Sequence, residues 1–194
     1  SIILSKSTRS STLDFAKRNF FEPLGIKSAY WHQDPHGYHI GGFGLGLSAR
    51  DLAKIGFLYV NNGYWDGKSI VSESWVKEST EHKIPAVSHP LYGEFGYGYQ
   101  WWVKKIDGCH SFRAWGRRGQ FIVVVPELDL VVTVTSATSM PHPPTTIHYD
   151  PLFELVAASV QRERPLKKPP KAVELPADVK AFITGYNQVR INNN

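Results

Sequence analysis

Two runs of β-branched residues dominate the hydrophobic pattern in the second half of the chain. They cover residues 121–125 and 130–135, and the four residues Pro126-Glu127-Leu128-Asp129 separate them. A high density of β-branched residues favours strands, and a connection of four residues suits a hairpin loop. Both faces of both strands are largely apolar, so we expect a sheet that is covered on two sides.

The same reasoning predicts the elements around this hairpin. Residues 97–104 and 111–115 read as two further strands, and the short turns between successive strands predict an antiparallel sheet. Helices are predicted where a capping signal or an apolar stripe at helical spacing occurs: from Ser11 up to Pro23, from Ser48 with the stripe Leu52, Ile55, Leu58 and Tyr59, from Ser72 to Ser79, and over about 150–160. Residues 81–90 are predicted as a loop rich in His and Pro. The pattern therefore predicts an α+β fold, an antiparallel β-sheet flanked by helices.

A glycine-bracketed turn precedes the strand at 120–125, with the sequence Ala114-Trp115-Gly116-Arg117-Arg118-Gly119-Gln120. Glycine allows a close approach of another group to the backbone or a positive φ, and both glycines stand where the strand begins. This turn is the first candidate for chemistry in the chain.

The turn and its neighbours resemble the penicillin-recognising serine hydrolases, the family of class C β-lactamases, D,D-peptidases, related esterases and nylon-oligomer hydrolases. These enzymes share a Ser-x-x-Lys nucleophile, a Tyr-x-Asn or Ser-x-Asn element, and Lys-Thr-Gly or a variant on a strand at the edge of the cleft. Ala114-Trp115-Gly116 is similar to the Lys-Thr-Gly element. Four other segments resemble family signatures in family order: residues 20–26, 41–51, 97–102 and 125–129.

The resemblance implies the C-terminal part of the β-lactamase/transpeptidase-like fold over residues 1–160. It implies that the backbone N–H of Arg117, beside Gly116, is an oxyanion donor, a role that is worth a few kcal/mol of barrier. Substrate contacts are expected from the rest of this turn and from an aromatic side chain upstream: Ala114, Trp115, Arg118, Gly119, Gln120 and Trp101.

Two departures from the family pattern shape this prediction. Ala114 lacks the cation that Lys or His supplies at its position, which is similar to the esterase and nylon-oligomer hydrolase branch. The nucleophile elements belong upstream of Phe21-Glu22-Pro23-Leu24-Gly25, and the chain contains neither of them there. Ser74-Trp75-Val76-Lys77 and Tyr59-Val60-Asn61 fit the two patterns, but they occur in reverse order and inside segments that match non-catalytic regions. We therefore predict that this chain alone is inactive.

Charge divides the chain into a domain over residues 1–160 and a basic, Pro-rich tail over residues 161–194. The formal charge of the chain is +5, and the tail holds seven Lys or Arg against three Asp or Glu. Such a tail predicts a solvated, extended linker, and salt-dependent binding of an anionic partner is the alternative. We expect no nucleic-acid partner.

The remaining groups predict no cofactor and no metal. Cys109 is the only cysteine, so an intrachain disulfide is excluded, and a loop thiol is favoured over a catalytic one. His32, His36 and His39 lie near Asp34, but Pro35 and Gly37 interrupt any helix that would align them for zinc. No apolar run approaches the roughly 20 residues that span a bilayer. The family resemblance implies a periplasmic or other extracytoplasmic location.

Two functions remain open from the sequence. The first is part of a serine hydrolase that cleaves a small ester or amide, such as a β-lactam or a peptide, through an acyl-serine intermediate. Its partners would be that substrate and either the missing N-terminal portion or a second copy of the chain. The alternative is a non-catalytic relative of the same fold that binds a peptide or a glycan.

Overall fold

The computed structural model describes residues 1–89, 93–136 and 149–160 of the chain. The described helices are α1 (Ile2–Thr8), α2 (Thr12–Ala16), α3 (Ala49–Val60), α4 (Glu73–Thr80) and α5 (Asp150–Val160). The described strands are β1 (Tyr30–Trp31), β2 (Leu45–Gly46), β3 (Tyr64–Trp65), β4 (Lys68–Ser69), β5 (Ile84–His89), β6 (Gly93–Tyr97), β7 (Trp102–Ile106), β8 (Cys109–Gly116), β9 (Gln120–Val125) and β10 (Leu130–Val134).

One antiparallel sheet organises the described residues, with its strands in the order β10-β9-β8-β7-β6-β5. Each strand of this sheet pairs with its neighbour along the chain, so the described strands form a meander. The predicted hairpin at residues 121–135 is confirmed, because β9 and β10 pair from Leu130 opposite Val125 to Val134 opposite Phe121. Short hairpins pair β1 with β2 and β3 with β4.

Each face of the sheet is covered by a helix, as the apolar character of both faces predicts. Ile122 and Val124 of β9 face α3, where they join a cluster that includes Leu52 and Ile55. The alternate residues Phe121, Val123 and Val125 face α5 and pack with Phe153 and Ala157. The run over β9 is therefore apolar throughout because its side chains serve two cores, one on each side of the sheet.

The capping signals are confirmed at all three predicted helix starts. The hydroxyls of Ser11, Ser48 and Ser72 accept hydrogen bonds from the backbone N–H groups of Asp14, Asp51 and Trp75, at 3.0, 3.2 and 3.2 Å respectively. Each hydroxyl satisfies an N–H group that has no partner within the helix. The helical segment that begins after Ser11 continues as a π-helical turn over Lys17–Phe21 and ends before Pro23.

The predicted strand at residues 97–104 is wrong, because the chain turns between β6 and β7. The N–H of Gly98 donates to the carbonyl of Trp101 at 2.8 Å, and Gln100 has a φ of 68°. The N–H of Tyr99 donates to the carbonyl of Ser79 at 2.9 Å, which ties this turn to the end of α4. The segment is rich in aromatic residues and poor in turn-forming polar ones, so the sequence pattern concealed the reversal.

Two other predictions need correction. Residues 84–89 of the predicted loop form β5, which pairs with β6 at the edge of the described sheet. An edge position suits this segment because proline is tolerated on edge strands, and Pro85 lies within it. Helix α1 was not predicted, because the first predicted helix begins at Ser11.

The basic tail over residues 161–194 lies outside the described residues.

Candidate active site

The glycine-bracketed turn connects β8 to β9 at one end of the sheet. Gly116 is the last residue of β8 and pairs with Gln120, the first residue of β9, so residues 117–119 form the loop of the hairpin. Arg118 has a φ of 66° and Gly119 a φ of 81°. A bulky residue rarely adopts a positive φ, and Gly119 adopts it at no steric cost. We call residues 116–120 the motif turn.

The backbone N–H of Arg117 donates no hydrogen bond to any group in the described part of the chain. Arg117 and Arg118 are both exposed, and neither side chain forms an ion pair with a described residue. An N–H that is free of the β-ladder at a strand end can donate to an external acceptor such as a carbonyl oxygen. The structure thus leaves this predicted oxyanion donor available within the described residues.

Trp115 lies on the face of the sheet that carries α5. Its indole stacks on Phe121 with ring centroids 6.0 Å apart, and it meets the rings of Trp102 and Phe95 at 5.9 and 6.1 Å. Trp102 and Trp115 are both half-buried, whereas Phe95 is buried. A group of aromatic rings therefore extends from the motif turn across β8 and β7.

Trp101 and Ala114 lie on the opposite face, towards α3. The indole of Trp101 is 6% exposed and packs against Tyr59 and Phe112, with centroids 4.7 and 5.2 Å apart. Ala114 pairs with Ile122 across β8 and β9 and contacts the same cluster. The structure therefore brings Trp115 and the motif turn together, and it places Trp101 in the core on the other side of the sheet.

Two contacts hold the β9 end of the motif turn. The side-chain amide of Gln120 donates to the carbonyl of Ser136, which follows β10. Gly119 is buried against the ring of Tyr149, the residue before α5. The predicted ligand role of Gln120 thus competes with a structural role for its amide.

A buried ionic cluster lies below Trp115 on the same face. The two carboxylate oxygens of Asp150 accept hydrogen bonds from Arg113 Nη1 and Lys104 Nζ, each at 2.6 Å. The Arg113 guanidinium also lies 4.5 Å from the centroid of Phe95, and its Nη2 is the one buried side-chain polar atom without a partner in the described residues. Burial acts to raise the pKa of Asp150, but the hydrogen bonds from Arg113 and Lys104 outweigh it and hold the pKa below its ordinary value.

Other candidate groups gather into no second centre within the described ranges. No three His, Cys, Asp or Glu side chains come close enough there to hold a metal ion. Cys109 is half-buried. Ser74 is exposed and donates to the hydroxyl of Ser72 at 3.2 Å. None of the helices in these ranges has the length and apolar character that a membrane crossing needs.

A family model described as Beta-lactamase matches residues 1–157 of the chain. This match covers all the described strands of the sheet and most of α5. The chain belongs to the beta-lactamase family.

Relatives of this beta-lactamase-family chain include a 6-aminohexanoate-dimer hydrolase of Paenarthrobacter ureafaciens, which is 28% identical over 134 residues. That match covers 66% of this chain and 33% of the relative. A putative 6-aminohexanoate-dimer hydrolase from Bacillus anthracis has the same fold, with a TM-score of 0.68 at 23% identity over 81% of this chain and 41% of that one.

An octameric penicillin-binding protein homologue from Pyrococcus abyssi matches with a TM-score of 0.62 and 26% identity over 79% of this chain and 40% of its own. The chain therefore spans between about a third and two fifths of the length of these relatives. The predicted membership of this family and the predicted fold class are confirmed.

Sequence reasoning missed three residues near the motif turn of this beta-lactamase-family chain. The predicted substrate contacts include Trp101 and not Trp102, although the period of two along a strand sets the two side chains on opposite faces. Arg113 pairs with Trp102 across β7 and β8 and so shares its face. Tyr149 carried no local signal, because 30 positions separate it from Gly119.

Proposed function

We propose that this chain is the C-terminal portion of a serine hydrolase that cleaves a small ester or amide through an acyl-serine intermediate. The observation that carries the proposal is the backbone N–H of Arg117 just past the end of β8, which donates to no group among the described residues, in a chain of the beta-lactamase family. The Ser-x-x-Lys and Tyr-x-Asn elements would come from polypeptide outside this chain. The similarity to the 6-aminohexanoate-dimer hydrolase of Paenarthrobacter ureafaciens supports an amide substrate, and Ala114 in place of a cation supports the same branch.

The role of each group in this mechanism follows from the negative charge that develops on the carbonyl oxygen of the substrate. An upstream Ser would attack the carbonyl carbon while Lys and Tyr take its proton. The carbonyl oxygen would become an oxyanion and accept hydrogen bonds from the Arg117 N–H and from the N–H of the Ser itself. Loss of the alcohol or amine would leave an acyl-serine, which water then hydrolyses. Trp115 would contact the substrate beside the motif turn, and Arg118 would face a substrate that carries a carboxylate.

Labelling with a fluorophosphonate probe tests this function. The sample is a polypeptide in which the segment encoded upstream of Ser1 precedes this chain, and the labelled residue is mapped by mass spectrometry. We expect the label on an upstream Ser within Ser-x-x-Lys, because only an activated serine reacts readily with this probe. Absence of label would favour the alternative of a peptide- or glycan-binding relative.

A matched control is the internal Ser74-Trp75-Val76-Lys77 segment. Ser74 lies on α4 and is exposed. Because the proposal places the nucleophile upstream of this chain, the Ser74→Ala variant is expected to label as fully as the unsubstituted protein. Loss of label in this variant alone would reassign the nucleophile to Ser74.

The proposal also predicts that the isolated chain self-associates. In the described residues, β10 pairs on one side only, and its sequence Leu-Val-Val-Thr-Val has no charge or proline to protect its edge. Leu155 on α5 is 52% exposed and Ile3 on α1 is 85% exposed. We expect sedimentation velocity to show dimers or larger species, because these apolar surfaces need a cover. A monodisperse, stable monomer would contradict this expectation.

A further inference from the structure

Tyr149 lies against the backbone of the motif turn. A Cβ built on Gly119 would overlap the Tyr149 hydroxyl and lie 2.8 Å from Cζ of the same ring. Position 119 therefore requires glycine for two reasons: its φ of 81° and the closeness of this ring. Every side chain larger than hydrogen would push Tyr149 away from the turn.

Tyr149 is itself held firmly from three directions. Its carbonyl accepts hydrogen bonds from the N–H groups of Leu152 and Phe153 at 3.0 and 3.1 Å, so it stands at the start of α5. Its ring packs against Phe121 with centroids 5.0 Å apart. The next residue, Asp150, is bound to Arg113 of β8 and Lys104 of β7. Together these contacts join the first turn of α5 to the strand that carries the motif turn.

Arg117 and Arg118, between the paired ends of the motif turn, lack comparable support among the described residues. Arg118 adopts a positive φ that is unfavourable for a side chain of its size, and the Arg117 N–H makes no hydrogen bond within the described residues. A turn of this kind persists when its surroundings determine it. On the α5 face, the ring of Tyr149 contacts the turn at Gly119.

We propose that Tyr149 is a positioning residue that holds the backbone of the motif turn, and so the direction of the Arg117 N–H, through its contact with Gly119. The Arg113–Asp150 pair keeps Tyr149 in register with β8. The catalytic consequence rests on the proposed function, whereas the effect on the backbone does not. In a protein that carries the nucleophile, Tyr149→Ala would lower kcat more than it changes KM, because the ring itself makes no substrate contact in this proposal.

Amide hydrogen exchange of the 194-residue chain tests the backbone effect without any activity. We expect Tyr149→Ala to raise the exchange rate of the amides of Gly116 and Gln120, the pair that closes the turn, by about tenfold relative to those at 122–124 in β9. The matched control is Ala157→Gly, which weakens the packing of α5 two helical turns beyond Tyr149. Equal increases in the turn and in β9, or an equal effect of Ala157→Gly on the turn, would overturn the proposal.

Two further variants keep the proposal testable if Tyr149→Ala does not fold. Tyr149→Phe removes the hydroxyl at Gly119 and keeps the ring in the core. We therefore expect a smaller but selective rise in exchange at Gly116 and Gln120, and an unchanged rate at both would overturn the proposal. Gly119→Ala should lower the unfolding temperature of the Tyr149→Phe chain by less than it lowers that of the unsubstituted chain, because the overlapping oxygen is gone. Additive effects of the two substitutions would mean that the contact is not there.

Discussion

Replacing Arg117 with proline in the nucleophile-bearing protein is expected to lower kcat by about 10²- to 10³-fold, with a smaller change in KM. Proline has no backbone N–H, so the substitution deletes the proposed oxyanion donor and leaves the surrounding side chains in place. Arg117 is not among the residues with positive φ, and Gly116 before it tolerates the restriction that proline places on its neighbour. Steady-state hydrolysis of an aryl ester measures both constants.

The matched control is Arg117→Ala, which removes the side chain and keeps the N–H. The guanidinium is exposed and forms no ion pair with the described residues, so kcat should stay within a few-fold of the unsubstituted protein. If alanine and proline lower kcat equally, the side chain carries the effect and the backbone role is wrong. If neither changes it, the oxyanion donor lies elsewhere.

Asp150→Ala is expected to destabilise the chain by about 3–5 kcal/mol. The carboxylate is the partner of two cations, and Arg113 is 2% exposed on the face that packs against α5. Removing the Asp150 carboxylate leaves the Arg113 guanidinium without its counter-ion in a largely apolar environment beside Phe95 and Phe153. Chemical denaturation followed by tryptophan fluorescence gives the free energy of unfolding. The exposed pair of Glu81 with Lys83 provides a control, because Glu81→Ala should leave the unfolding midpoint unchanged.

The Asp150 contribution also has a defined pH dependence. The pKa of this carboxyl is lower in the folded chain than its ordinary value of 3.8, so the folded state favours the ionised form. The stabilisation is therefore complete above the unfolded pKa and is lost as the pH falls below about 4 through the folded pKa. The difference in unfolding free energy between the unsubstituted chain and Asp150→Ala should be constant above about pH 5. It should decrease as the pH falls below about 4. A difference that grows as the pH falls would contradict this assignment.

The proposed oxyanion donor and the Asp150–Arg113 ion pair are both attached to β8. Arg113 anchors this strand to the start of α5, and three residues later the strand ends in the motif turn. A substitution that frees α5 should therefore disturb the turn as well as the stability of the chain. Comparing hydrogen exchange at Gly116 and Gln120 with the free energy of unfolding in the same variants separates the two consequences.

Local signals account for the elements that the sequence predicted well. A serine hydroxyl at Ser11, Ser48 or Ser72 reaches an N–H three residues on, so the helix starts depend on neighbours in the chain. The β9–β10 hairpin follows from its β-branched runs and its four-residue connection. Predictions failed where a distant partner decided the backbone, as at Gly98, whose turn is tied to Ser79 through Tyr99.

The candidate site divides in the same way. The amino-acid order specified the family, the antiparallel sheet and the glycine-bracketed turn, because hydrophobic period, turn chemistry and motif order are properties of short segments. Whether Trp101 or Trp102 shares a face with Trp115 depended on the chain reversal between β6 and β7, which the sequence pattern did not show. The contacts of Tyr149 with Gly119 and of Asp150 with Arg113 were decided by the tertiary structure alone. They join residues 30 and 37 positions apart, and no local pattern records a contact that exists only once α5 has packed on the sheet.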